Sequence, residues 1–511
     1  MNALLLNIAS YKYEIGDYLV KDKNFENVYI TYLPGIYEEK DDLMDSNHIK
    51  YVEIEEMMRG KIDIEAESKL RPLGKVFLEK ALEYRSTFIT LDSYRFAYPI
   101  ASIDECERNY LYYLKYWNEF FLQNNIEFIM FDDTPHWPIM YSAYAVARIL
   151  QKKICILSPV GIHEPGSQSG MHIYGESIDT VGCSVKDEYE RLCEQVDTSY
   201  ELEGVVKKYF ENSIKKVSEA TLSDAKRKEI TKQVKVEKFN APKGNHPYFV
   251  ASFHNLKFLM SALIKYKSID RYKNNKYGYK EIRDLKRLSL YYKYDLVSLK
   301  EYDKKAQYPN KSDKYIFYPL QLWPEATTKP QSGVFGEQYN AIQLLSYVLK
   351  DYDIKIYVKE YYLQPYREKL FWKELERLGN IVYIKSDVTS GELMENALAV
   401  ANQTGTCLIE APFYGKPAIT FGDGFCLKGM PGLFEIQDAC QGKQVIEKIL
   451  DGVTINMYDL KRYYYAIQKK AVFFNRTSLW EVDKTSELSK KTISELKELL
   501  NDILYLYVIG K

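Results

Sequence analysis

At 511 residues and 59.9 kDa the chain is too long for one ordinary hydrophobic core, so two domains are the natural expectation. Its 70 basic and 71 acidic residues leave a formal net charge of -1, which excludes a global field favouring nucleic acid. The 47 tyrosines, alongside plentiful lysine, fit codon bias as well as function, so no aromatic ladder for carbohydrate is read from them.

Met1 to Ser10 has a short apolar run without a basic leader or a cleavage-like site, so no signal peptide is expected. Ala3 to Ile8 reads as a first strand, and Val28 to Leu33 as another, followed by Pro34-Gly35. Residues 38–72 are charged, with helical pieces. Helical spacing over Cys106 to Asn124 precedes a short apolar strand, Glu127 to Phe131. Asp132-Asp133-Thr134-Pro135-His136 then falls at the strand's C-terminal end, where ligands of open α/β sheets bind. A helix over about 139–151 and a strand over 153–157 complete a βαβ run, which argues for a Rossmann-like first domain. Residues 161–182, rich in Gly, Ser and His, read as a loop, either a lid or a surface excursion. Lys186 to about Lys232 is helical and charged, and Lys243 to Pro247 breaks that pattern. Two more helical segments are expected near residues 256–267 and 279–294, their basic residues forming a solvated face.

Tyr302 to Lys314 is polar, contains Pro309, and is the expected interdomain linker. Strand Tyr315 to Tyr318 opens the second unit, with Pro319 to Thr328 as its exit loop. A helix over 336–349, a strand over 354–358 leading into Lys359-Glu360, a helix over 366–378, a strand over 380–384 and a helix over 390–396 follow. Next, Leu398 to Ala401 ends a buried strand, and Thr404-Gly405-Thr406 forms a small loop that a ligand can approach closely. Cys407 to Tyr414 reads as a short helix whose first N–H groups favour an anion. Glu410, about one turn after Thr406, is placed to accept hydrogen bonds from a ribose. Gly415-Lys416-Pro417 ends the helix before the next parallel strand, Ala418 to Phe421. Taken alone, this string also fits an ordinary βαβ turn without a ligand. No repeat with a period of about 20–50 residues is visible. The expected division is residues 1–305 as a Rossmann-like domain with helical insertions, 306–480 as a second Rossmann-like domain, and 481–511 as a helix crossing back to the first.

The seven cysteines (Cys106, Cys155, Cys183, Cys193, Cys407, Cys426 and Cys440) are scattered and include no C-x-x-C pair. Reduced thiols in a cytoplasmic protein are therefore expected, not a disulfide or zinc framework. No window approaches the roughly 18 apolar residues of a membrane span. Lys-rich amphipathic helices leave peripheral contact at the inner face of a membrane open.

Three strand exits of the second unit line up. The run Y-P-L-Q-x2-P-E-A-T-T from Tyr318, then V-K-E from Val358, then Q-T-G-T-x3-E-A-x3-G-K-P-x3-F-G from Gln403 resembles bacterial capsule and surface-polysaccharide biosynthesis proteins, a family that includes the Kdo transferases of capsule assembly. The resemblance covers roughly residues 315–424, and F-D-D-T-P-H in the first half matches more loosely. It implies an α/β, GT-B-like fold: two Rossmann-like domains whose parallel sheets face a central cleft. It also implies a glycosyltransferase that moves a sugar from a nucleotide-activated donor, CMP-Kdo or a related CMP-sugar, to a growing polysaccharide or a glycolipid. The family's Lys-Glu-His-Pro is here Lys359-Glu360-Tyr361-Tyr362, and a tyrosine in place of the histidine brings no positive charge near neutral pH. A sugar-nucleotide epimerase, a polyol-phosphate transferase, or a non-catalytic glycan- or nucleotide-binding protein are the alternatives on this architecture.

The chemistry to be met is a departing phosphate, a cationic sugar and an acceptor hydroxyl. Donor-side candidates are Gln321, Lys359, Glu360, Gln403, Thr404, Gly405, Thr406 and Glu410; a helix N-terminus and Lys359 suit the phosphate. Asp132, Asp133, His136 and Glu325 are the catalytic candidates, as general base or electrostatic partner. A turn or cap accounts equally for Asp132-Asp133, a loop histidine for His136, and a surface side chain for Lys359 or Glu410. Arg367 is expected to be structural, pairing with Glu360, with phosphate binding as the alternative. No cluster has metal-ligand spacing and no Asp-x-Asp motif lies at the three strand exits, so transfer without metal or cofactor beyond the nucleotide-sugar is expected.

Overall fold

The computed structural model describes residues 1–6, 11–32, 47–54, 57, 64–94, 103–164, 169–195, 199–220, 296–362, 364, 366–475 and 486–509. Helical segments expected over 256–267 and 279–294, the break at 243–247, the end of the helical stretch near 232, and much of the charged region 38–72 lie outside them.

The first sheet is built on β1 (Asn2–Leu6), β2 (Asn27–Tyr32), β3 (Ile49–Glu53), β4 (Ile126–Phe131) and β5 (Lys153–His163), in the spatial order β3-β2-β1-β4-β5, all parallel. That is the order of a Rossmann half. β1 is buried along its whole length, because both sheet faces are covered. Leu4, Leu6, Ile129 and Phe131 point to one face. Ala3, Leu5, Phe128 and Met130 point to the other, where they meet Leu496, Leu500 and Leu504 of the helix Glu487–Ile509. The side chain of Tyr18 ties that helix down by donating to the Lys497 carbonyl at 3.1 Å.

The second sheet comprises β8 (Tyr315–Pro319), β9 (Lys355–Lys359), β11 (Ile381–Tyr383), β12 (Ala399–Asn402), β13 (Ala418–Thr420) and β14 (Leu433–Glu435). Its order is β11-β9-β8-β12-β13-β14, again all parallel, the full 3-2-1-4-5-6 order counted from β8. Two Rossmann-like sheets joined through a C-terminal helix that packs on the first form an α/β, GT-B-like architecture.

Four local expectations differ from what is found. Residues 161–182 are not a loop throughout: β5 runs on to His163 and pairs antiparallel with β6 (Gly170–Gly175). The glycines that suggested a loop serve close packing instead. A Cβ on Gly170 would lie 2.6 Å from the Ile162 carbonyl oxygen, and one on Gly175 2.6 Å from the Val181 nitrogen. Residues 302–314 are not a free linker. Tyr302 is buried, donating to the carbonyls of Val358 at 2.9 Å and Ile384 at 2.8 Å, and β7 (Leu296–Ser298) pairs with β10 (Tyr366–Glu368). Residues 296–305 thus pack with the second sheet. The helix expected from Tyr366 starts only at Lys369, because β10 stays extended against β7. Finally, the chain returns to the first sheet well before residue 481. Helix Met457–Lys470 packs on helix Cys183–Cys193, with the Tyr189 and Tyr463 rings 5.3 Å apart, and β15 (Val472–Phe474) pairs with β6.

The two units are in contact. Phe210 on helix Gly204–Ala220 packs 5.4 Å from Phe413, and the Gln331 side chain donates to Thr134 Oγ1 at 2.7 Å. Gly182, at φ +88, sits so close to the Cys426 carbonyl that a Cβ there would be 2.1 Å from its oxygen.

Candidate functional site

Strand order places the site. In the second sheet the order reverses between β8 and β12, and their C-terminal ends open a crevice at that switch point. Asn402 closes its base: its amide donates to the Pro319 carbonyl at 2.5 Å, and its oxygen accepts the Gly405 N–H at 2.9 Å. This one side chain fixes the exits of β8 and β12 relative to each other. Above it lies a cavity of about 850 Å³. Gln321, Glu325, Lys359, Glu360, Gly405, Thr406 and Glu410 line it, so seven of the eight-plus-four expected residues come together in one place.

Gln403 and Thr404 sit immediately behind the lining. Both are buried; Thr404 donates to the Thr327 carbonyl at 2.6 Å, and Gln403 to the Phe335 carbonyl at 3.3 Å. Their side chains therefore hold the β12 exit against the β8 exit loop. Glu360 is likewise occupied. Arg367, buried with it, donates to the Glu360 carboxylate at 2.7 Å and to the Gln321 carbonyl at 2.7 Å. The other Glu360 oxygen accepts the Tyr361 N–H at 2.8 Å. The pair clamps the exits of β8 and β9, so Glu360 supports the wall of the cavity and Arg367 is the structural cation that the sequence suggested.

Glu325 is set by the turn it begins. Its carboxylate accepts the Thr327 N–H at 3.1 Å and hydroxyl at 2.9 Å, while its own N–H donates to Thr328 Oγ1 at 2.9 Å. Tyr361 and Tyr362 stand beside it with ring centroids 5.0 Å apart, both lining the cavity. Burial first, then Tyr362 and Glu325, push the Tyr361 hydroxyl up to about 12, so it stays neutral at physiological pH. It offers hydrogen bonding and a ring face where a histidine would offer charge.

The expected short helix is one α turn, Cys407–Glu410, continued by a 3-10 turn, Ala411–Tyr414. Gly415, at φ +66, ends it in the left-handed conformation that favours glycine. Glu410 lies one turn after Thr406, whose carbonyl accepts its N–H at 3.1 Å.

Asp132, Asp133 and His136 do not line the cavity. They occupy the exit of β4, beside β1, the switch point of the first sheet. Asp133 accepts the Thr134 N–H at 2.6 Å, and His136 Nδ1 donates to the Thr134 carbonyl at 2.6 Å. Burial raises the Asp133 pKa above the usual aspartate value; Asp132 and Glu325 add to the rise, while His136 and the Thr134 N–H oppose it. The loop after β8 and the β4 exit meet across the interface. The Gln331–Thr134 hydrogen bond joins the same two loops.

Several lining residues were not legible as a site. Thr389, Ser390, Gly391, Glu392 and Glu395 come from the helix after β11, and Tyr414 from the end of the 3-10 turn. Their common signal was position at a strand exit of a parallel sheet. Lys216, from helix Gly204–Ala220 of the first unit, also lines the cavity, and no local motif marks it. Among the described residues, no three His, Cys, Asp or Glu side chains converge as a metal site, and no helix is long and apolar enough to cross a membrane.

No family model and no curated protein matches the chain. Solved structures similar to it include the beta Kdo 2,7 transferase KpsC of Thermosulfurimonas dismutans, 12% identical over 78% of this chain and 90% of that one, with a TM-score of 0.30. The UDP-GlcNAc 2-epimerase of Neisseria meningitidis bound to UDP-GlcNAc is 9% identical over 98% of this chain and 100% of that one, TM-score 0.28. An alpha,alpha-trehalose-phosphate synthase (UDP-forming) from Burkholderia vietnamiensis is 10% identical over 98% and 100%, TM-score 0.27. The chemistry therefore has to be argued from the geometry of this chain.

Proposed function

We propose that the chain is a glycosyltransferase that seats a nucleotide-activated sugar in the cavity of the second domain and passes the sugar to an acceptor hydroxyl at the β4 exit of the first. The observation that carries this reading is the cavity itself, on which Lys359, Glu410, Glu325 and the Gly405–Thr406 loop converge; the β4 exit that holds Asp133 is joined to the loop after β8 by the Gln331–Thr134 hydrogen bond. Lys359 supplies the counter-charge for the departing phosphate. Gly405 is needed for the seating of Asn402, because a Cβ there would lie 2.8 Å from the Asn402 side-chain oxygen. Glu410 accepts the ribose hydroxyls. Glu325 faces the sugar carbon as it gains positive charge. Asp133, with its raised pKa, takes the acceptor proton: a base is most effective when its pKa approaches the working pH.

The finer reading is a CMP-linked sugar as donor, a growing surface polysaccharide or glycolipid as acceptor, and action in the cytoplasm at the inner face of the membrane. The motif set of the second domain supports it. The aromatic Tyr361–Tyr362 pair weighs against a donor sugar whose carboxylate needs a cation at that point. A thermal-shift panel with CMP, CDP, UDP, GDP and ADP tests the assignment, since a ligand of the native state raises the melting temperature as its concentration passes Kd. The expected result is a shift with CMP above the others. A shift with UDP alone would reassign the donor, and no shift with any of the five would remove the nucleotide from the site.

A further inference from the structure

The charges lining the cavity do not suit an anionic ligand. Five carboxylates (Glu325, Glu360, Glu392, Glu395 and Glu410) face two ammonium groups, Lys216 and Lys359. The buried Arg367 offsets Glu360. A nucleotide brings further negative charge, and Lys359 and Lys216 are the two cations in this lining. Lys359 belongs to the nucleotide-side domain. Lys216 belongs to the other, and its ammonium group lies 3.2 Å from the Glu410 carboxylate. Glu410 is itself one helical turn from the Gly405–Thr406 loop, a rise of about 5 Å. A flexible four-carbon side chain spans that distance without movement of its helix. The end of β5 also comes close here: a Cβ on Gly161 would lie 3.6 Å from Thr406 Cγ2.

From this juxtaposition we propose that Lys216 is the second cation of the donor site: it exchanges Glu410 for the donor's phosphate when the ribose hydroxyls occupy the Glu410 carboxylate. This rests on the donor site proposed above and adds to it a residue from the opposite domain. Donor binding then bridges the two domains, and the phosphate, not the base or the ribose, is what the first domain senses. The Lys216–Glu410 contact is half-exposed, and such pairs contribute little stability, so the exchange costs little.

The test compares a nucleotide with its nucleoside on the full chain by calorimetry, using CMP and cytidine, or UDP and uridine if the panel selects UDP. Lys216→Ala should weaken the nucleotide about tenfold or more, the effect of losing one charge-assisted contact, and leave the nucleoside within about twofold. Lys216→Arg should restore nucleotide affinity to within about threefold. The proposal is overturned if Lys216→Ala binds the nucleotide as tightly as the wild type, or if nucleoside and nucleotide weaken together, which marks a purely structural side chain. If the wild type binds neither ligand, the donor-site reading falls and this inference with it. If the wild type binds and the variant matches it, only the inference falls.

Discussion

Residue by residue, the site divides into groups that touch the cavity and groups that hold them. Glu360 and Arg367 are of the second kind. Both are almost fully buried, and the guanidinium satisfies a carboxylate, a backbone carbonyl and, at 5.1 Å, the face of Phe371. Removing one partner of a buried pair leaves an uncompensated charge, which costs about 3–5 kcal/mol. Arg367→Ala should therefore lower stability by about that amount in urea or thermal unfolding. The double variant Arg367→Met with Glu360→Leu should recover a large part of it, because the second change removes the orphaned charge. Glu410 pairs with Lys216 at 3.2 Å at the edge of the cavity. Asp133 is intermediate: its backbone partner fixes it in place, while burial and the neighbouring carboxylates hold its pKa up. Burial makes the ionised form unfavourable in the fold, a cost fully present above the raised pKa and relieved as pH falls through it.

Among the elements, the loops at strand exits build the cavity and the glycines set how closely the domains approach. Gly182 is the sharpest case, combining a left-handed φ with almost no space beside the Cys426 carbonyl. Gly182→Ala forces either backbone strain or separation of the helix Cys183–Cys193 from the second unit. It should destabilise by about 2 kcal/mol or more and lower the melting temperature by several degrees. The elements also show what a sequence can disclose. Parallel strands such as β8, β9 and β12 announced themselves as apolar runs ending in polar loops, because both of their faces are buried. The Gly405–Glu410 segment was legible because loop, helix start and glycine stop follow in one short string. β6 was hidden by glycines that read as flexibility and act as close contacts. β15 and helix Met457–Lys470 were hidden because their partners lie some 300 residues upstream, and no local pattern encodes such a pairing.

On the scale of the whole molecule, two sheets with the same parallel winding are linked through loops near their strand exits. One hydrophobic cluster runs through both units, from Leu4 and Phe131 to Phe413 and Tyr464. Residues far apart in sequence thus meet between the units: Lys216 with Glu410, and Gln331 with Thr134. The individual site residues were legible one strand exit at a time, but their meeting across the interface was not, because it depends on how two separately folded sheets dock. That meeting is the central claim, and acceptor-dependent release of nucleotide from the donor selected by the thermal-shift panel tests it most directly. The wild type should release nucleotide only when acceptor is present, with an acid limb above the ordinary aspartate range as Asp133 becomes protonated. Asp133→Asn, which keeps the shape but removes the base, should lower turnover by about 10²–10⁴-fold with nucleotide affinity unchanged. Release at the same rate without acceptor, or full turnover by Asp133→Asn, would contradict transfer across this cleft.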